Sequence, residues 1–164
     1  MIHWDDVIDH IRQISRSPWF WVIAGLKVLL GVLFASSYVR DHFAPFLQYA
    51  VTHAGENPWD AFLALNRPKA FPYHLPMLVW LGIPRLLLSW LPDPSWQVTT
   101  WVDLLSLRLP LLVADFGIYV ILTRWFGQKQ RFLLVHYWAS PVVIYILYFH
   151  GQLDVLPVFV LFTS

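Results

Sequence analysis

Three apolar stretches, residues 19–36, 104–125 and 132–149, dominate this sequence. Each approaches the roughly 20 residues a helix needs to cross the hydrocarbon core of a bilayer. In lipid the backbone must satisfy its own hydrogen bonds, so runs of this kind fold as helices. Charged residues make up 13% of the chain and hydrophobic residues 58%, against about 25% charged in an ordinary soluble domain. A surface so poor in charge would be sticky in water. The sequence therefore predicts an all-α fold, a polytopic transmembrane helix bundle embedded in a lipid bilayer. Its 10 Trp, 7 Tyr and 12 Phe suit helix ends set among headgroups. A net charge of +1 gives no reason to expect a nucleic-acid partner. With no cysteine, disulfides and thiolate metal ligands are excluded.

Ahead of the first apolar run, Trp4, Val7, Ile8, Ile11 and Ile14 share one helical face. Residues 1–18 thus read as an amphipathic interfacial helix. Three Asp near the start argue against a signal peptide, although Ala35-Ser36-Ser37 resembles a cleavage site. The first span, 19–36, opens after Pro18, a residue suited to a helix's first turn. It carries Lys27, which either faces the other helices or snorkels to a surface. Residues 37–103 form a long loop. Within it, 76–91 is apolar but short and interrupted by Pro84-Arg85, so it reads as a juxtamembrane or re-entrant helix. The second span is 104–125, the next loop is 126–131, and the third span is 132–149. Residues 150–154 make a turn, and 155–164 begin a fourth span. This last run has half the length a span needs, so the sequence reads as the N-terminal piece of a longer protein, or else ends in a short apolar tail packed in the bundle.

Basic residues favour the cytoplasmic side of short loops. Arg12 and Arg16 flank the first span, and Arg124, Lys129 and Arg131 crowd 126–131. Both ends are cytoplasmic only when an even number of spans separates them. That condition places 76–91 outside the count and puts 37–103 and 150–154 together on the external face.

Four groups of residues could carry chemistry. Tyr38-Val39-Arg40-Asp41-His42 follows the first span; Asp41 there is either an ordinary solvated charge or a group that acts on a lipid-borne phosphate substrate. Asn57-Pro58-Trp59-Asp60 and Phe71-Pro72-Tyr73-His74-Leu75-Pro76 combine rigid proline backbone with aromatic faces. They suit sugar rings, or equally an interfacial anchor. In His150-Gly151-Gln152-Leu153-Asp154, Asp154 could join Asp41 in holding a divalent cation or could cap the helix that follows. Arg108 and Asp115, seven residues apart, lie on roughly one helix face but about 10 Å from each other, too far to bond. Arg108 either grips a phosphate or snorkels.

In this order the motifs resemble the N-terminal module of the GT-C fold, the polytopic glycosyltransferases that use polyprenyl-phosphate-linked sugars. The overall look is similar to bacterial membrane proteins of mannosyltransferase type. The resemblance implies that Asp41 stands where such enzymes keep an essential acidic residue at the head of the first external loop. Phe71-Pro72-Tyr73-His74-Leu75-Pro76 resembles an aromatic-Glu-Tyr-Pro-Pro-like stretch late in that loop. Arg108 and Asp115 match an Arg and an Asp of the second span in order. His150-Gly151-Gln152-Leu153-Asp154 after Pro141 resembles a His-Phe-Gln-Tyr-Asn-like motif, and Asp154 resembles an acidic metal-binding position of the oligosaccharyltransferase catalytic subunit. The resemblance implies an inverting glycosyl transfer from a polyprenyl-phosphate donor at the extracytoplasmic face of a bacterial inner membrane. It assigns Asp41 as catalytic residue and Arg40, Tyr73, His74, Arg108, His150 and Gln152 as substrate-binding. It implies a divalent cation, Mg or Mn, at Asp41 and Asp154, and no other cofactor. The rival reading is a non-catalytic polytopic protein, a transporter or assembly subunit, in which Lys27 and Asp115 line a path or hold helices together.

Overall fold

The computed structural model describes residues 4–91 and 98–164. Among them every regular element is a helix. Helix α1 (Trp4–Ser15) meets α2 (Pro18–Leu33) at an 84° bend. Pro18 sets the first turn of α2, where its missing N–H goes unneeded. Its ring also disfavours helical backbone at the residue before it, and Ser17 is extended.

The segment 37–103 is far from a plain loop. A wide π-helical turn, Val39–Phe43, runs into α3 (Ala44–Thr52). Helix α4 (Pro58–Ala64) starts at Asn57, whose side chain accepts from Trp59 N at 3.1 Å and donates to the Asp60 carboxylate at 2.8 Å. Asn57-Pro58-Trp59-Asp60 is thus a helix start, with Asn as cap and Pro in the first turn. Trp59 packs edge-on against Phe46 and Phe71. Helix α5 (Leu75–Leu87) continues through Pro84, buries Leu78, Leu81 and Arg85 and exposes Val79, Ile83, Leu86 and Leu87.

Helix α6 (Trp101–Trp125) begins three residues before the expected 104. Thr100 and Asp103 form a capping box there: the Asp103 carboxylate accepts from both the Thr100 backbone N–H and its hydroxyl, each at 2.8 Å. With 25 residues it is roughly 37 Å long at 1.5 Å per residue. It is the one described helix long and apolar enough by itself to cross a membrane. The expected span 19–36 is a helix of 16 residues followed by extended Phe34. The expected span 132–149 is divided: α7 (Gln130–Leu133) passes into a π turn to Trp138, and after Ser140 come α8 (Pro141–Ile144) and a second π turn, Tyr145–His150. The halves meet at 41° beside Pro141. If each bent pair is counted as one span, the total rises to three. Helix α9 (Val155–Thr163) ends the chain.

Helices α2 and α6 pack with the 130–150 segment around two clusters. Phe20, Tyr119 and Trp138 stack at one end, with ring centroids 5.0 to 6.2 Å apart. Phe43, Phe46, Phe71, Leu107 and Tyr148 fill the other. That second end gathers the extended segments after α2, the start of α5, and the turn 150–154.

Candidate functional site

The centre of the candidate site is Arg108, in the first half of α6. It is 2% exposed, and its Nε, Nη1 and Nη2 have no hydrogen-bond partner among the described residues. Two glycines make room for it. A Cβ at Gly31 of α2 would lie 2.8 Å from Arg108 Cγ, and one at Gly151 would lie 2.9 Å from Nη2. Gly151 also holds φ +80°, backbone that favours glycine. It ends the second π turn: the N–H groups of Gly151 and Gln152 both donate to Ile146 O, at 3.0 and 3.1 Å.

Asp115 does not neutralise Arg108. Two turns further along α6, it is fully buried and binds Lys27 Nζ through Oδ2 at 2.6 Å. The Tyr148 hydroxyl donates to the same oxygen at 2.8 Å, and Lys27 Nζ lies 3.6 Å above the Trp138 ring. Lys27 therefore faces the other helices and does not snorkel. A buried pair with this many partners ties α2, α6 and the 130–150 segment together.

Above Gly151 opens a cleft of about 220 Å³. Tyr73, His150, Gln152 and Asp154 line it, joined by Ser36 and Tyr38. The Ser36 hydroxyl donates to His150 O at 2.9 Å and pins the end of α2 to the turn. The Tyr38 hydroxyl donates to Lys69 O at 2.7 Å, and that of Thr99 to Arg40 O at 2.5 Å. Burial, then the Asp154 carboxylate and Tyr38, push the Tyr73 phenol above its ordinary value. At neutral pH it stays a hydrogen-bond donor. Asp154 stands at the N-cap of α9, yet its side chain makes no capping bond.

The remaining sequence candidates lie around this cleft. Arg40 is exposed and lines an adjacent cleft of about 280 Å³ with Ser36 and His150. His74, exposed, lines an apolar groove of about 540 Å³ between α5 and α9, of which Tyr73 forms the shared wall. Asp41 is exposed on the Val39–Phe43 turn, outside the residues that line the cleft, although Val39 and Phe43 on either side of it do line it. No group of three or more His, Cys, Asp or Glu among the described residues could hold a metal ion. Of the two carboxylates expected to hold a cation, Asp154 lines the cleft and Asp41 does not.

Sequence reasoning joined Lys27 to Asp115, 88 residues away, only in the rival reading, and missed Tyr148 as the second donor to Asp115. A lysine and an aspartate in separate apolar runs were the available signal, since neither charge is tolerable alone in such runs. Ser36 and Tyr38 left no signal. Set against protein-family models, curated proteins and solved structures, the chain matches none of them.

Proposed function

We propose that this chain is the N-terminal module of a polytopic membrane glycosyltransferase of GT-C type, with the cleft on the extracytoplasmic face of a bacterial inner membrane. In this reading α2, α6 and the bent 130–150 segment each span the bilayer and α1 lies on its cytoplasmic surface. The observation that carries the reading is the buried Arg108 guanidinium, without a partner among the described residues, packed behind Gly151 of a cleft that Tyr73, His150, Gln152 and Asp154 line and Arg108 does not. A buried cation without a partner is expensive, and a guanidinium matches the paired oxygens of a phosphate.

The donor is a polyprenyl-phosphate sugar that reaches the cleft from the bilayer. Its phosphate lies toward Arg108, with Gln152 and His150 as further donors. An acceptor hydroxyl attacks the anomeric carbon as the bond from that carbon to the phosphate oxygen breaks. The electron pair leaves with the phosphate, where Arg108 stabilises the charge that develops. The acceptor's proton passes to Asp41 at the cleft's edge. The sugar inverts, and polyprenyl phosphate is the second product. Tyr73 and His74 form the wall between the sugar and the apolar groove.

The reading is tested by transfer of radiolabelled sugar from a polyprenyl-phosphate donor in membranes carrying the protein. Asp41→Asn keeps shape and hydrogen bonding but removes the proton acceptor, so the rate should fall about 10²–10⁴-fold. Asp60→Asn should cost far less, because Asp60 only accepts from the Asn57 side chain at the start of α4. Undiminished transfer by Asp41→Asn at equal expression removes the catalytic assignment. The buried Lys27–Asp115 pair would then favour the rival reading, a non-catalytic membrane protein whose intramembrane charges hold helices together.

A further inference from the structure

Five charged side chains are buried among the described residues: Lys27, Arg85, Asp103, Arg108 and Asp115. Arg85 binds Asp103 at 2.9 Å and Lys27 binds Asp115 at 2.6 Å. One positive charge, on Arg108, is left over. The nearest buried carboxylate on the same helix face is Asp115, about 10 Å along α6. Tyr148 bridges the interval. Its hydroxyl donates to Asp115, while its ring edge and Arg108 Cγ both crowd Gly31, within 3.4 and 2.8 Å of where a Cβ would stand.

In a poorly polarisable interior, charges about 10 Å apart still interact strongly. An unpaired Asp115 carboxylate would therefore compensate Arg108. It does not, because Lys27 sits on it at 2.6 Å and the two charges cancel at short range.

We propose that Lys27 is a positioning residue: by neutralising Asp115 it reserves the Arg108 guanidinium for an oxyanion with a single negative charge, the phosphodiester of a lipid-linked sugar. The inference rests on the reading of the cleft as a phosphate site and adds a charge rule to it. With one uncompensated positive charge beneath Gly151, a phosphodiester completes the balance. A phosphomonoester, mostly dianionic at pH 8, brings a second charge that has no partner in the interior.

The test uses the whole chain in nanodiscs at pH 8, with dioctyl phosphate as the diester probe and octyl phosphate as the monoester, titrated by calorimetry, and thermal unfolding measured in parallel. The unaltered protein should bind dioctyl phosphate more tightly than octyl phosphate. Lys27→Met should weaken diester binding roughly tenfold or more, because Asp115 now compensates Arg108. Lys27→Arg, which keeps the charge, should retain binding. Lys27→Met combined with Asp115→Asn removes both charges and should restore both affinity and the preference for diester. Should Lys27→Met fail to fold, the double variant decides: folded and binding supports the proposal, folded and silent overturns it. Folded Lys27→Met that binds like the unaltered protein also overturns it. Arg108→Gln separates the two levels. If it binds dioctyl phosphate undiminished, the phosphate site itself falls, and this proposal with it. If it loses binding while Lys27→Met keeps it, only the role of Lys27 falls.

Discussion

Arg85 and Arg108 are both buried against α6, at 2% exposure each, yet their surroundings differ. Arg85 reaches from the last turn of α5 and donates through Nε to Asp103 Oδ1 at 2.9 Å. Asp103 is itself fixed by the capping box at the start of α6. That arginine locks a short, proline-containing helix onto the long one, and its charge is spent in doing so. Arg108, a little over one turn further along α6, has no partner among the described residues for any of its three nitrogens. The carboxylate on its own face of that helix, Asp115, is bound to lysine, and glycines clear the space around it. The contrast separates a buried charge that holds the fold from one that the fold holds ready. Counting charged residues in apolar segments cannot make that distinction; their partners can.

The largest expected effect breaks the comparison at its first term. Arg85→Met leaves the Asp103 carboxylate without its cation, and removing one partner of a buried ion pair destabilises by about 3–5 kcal/mol. Arg108→Met removes a charge that no partner among the described residues balances, so it should be neutral or stabilising. Reversible unfolding of both variants in the same detergent measures the difference. Equal losses would mean that Arg108 is held by the fold as Arg85 is, and the distinction would disappear.

A smaller effect sharpens the second term. Gly151→Ala places a methyl group against the Arg108 guanidinium and Val39 while forcing alanine to φ +80°. Backbone strain of that kind costs about 1–3 kcal/mol. Gly127 provides the control, since its φ is +31° and a Cβ there meets nothing within 4 Å. Gly151→Ala should lose both stability and dioctyl phosphate binding, whereas Gly127→Ala should lose only some stability. Intact binding in folded Gly151→Ala would show that the guanidinium is not approached from the cleft side.

The helical class was legible in the lengths of the apolar runs, and the separation of Arg108 from Asp115 in their seven-residue spacing. Helix starts were legible but passed over. Thr100 and Asp103 carry the spacing of a capping box, and Asn57-Pro58 carries a cap followed by a first-turn proline, so α6 could have been begun earlier and α4 found. The break at Ser140–Pro141 was signalled by the proline, which disfavours helical backbone at the residue before it. The continuation of α5 through Pro84 was not, because packing of Leu78, Leu81 and Arg85 outweighs local propensity there. The gathering of Tyr73, His150, Gln152 and Asp154 could be inferred from topology. The pairing of Lys27 with Asp115 was signalled only by two charges in separate apolar runs, neither tolerable alone there. The aromatic Trp59 and Phe71 suggested a sugar platform but are consumed in packing with Phe46.

The smallest effect extends the comparison to a polar contact on α6 that needs no charge at all. At the far end of the helix the buried Thr123 hydroxyl donates to backbone oxygens of Tyr119 and Val120, at 2.9 Å each, and its oxygen receives the Nε2–H of His10 at 3.0 Å. This contact docks α1. Burial, and then the nearby Arg124, hold the His10 imidazole below its ordinary value. The charged form is therefore disfavoured when α1 is docked. The docking contribution is complete above the free imidazole value of about 6.5 and is lost as pH falls through that value toward the lowered one. Asp6 and Asp9 share the helix with His10, but Asp9 is already paired with Arg12 at 3.1 Å, and Arg124 opposes the proton from α6. Hydrogen exchange of α1 amides, corrected for intrinsic rates, should speed up between pH 7.5 and 5.5 while the centre of α6 stays protected. His10→Gln keeps a donor without a titrating ring and should abolish the pH dependence. If the glutamine variant loosens to the same degree, the dependence does not come from His10, and the neutral contact at Thr123 has no part in it.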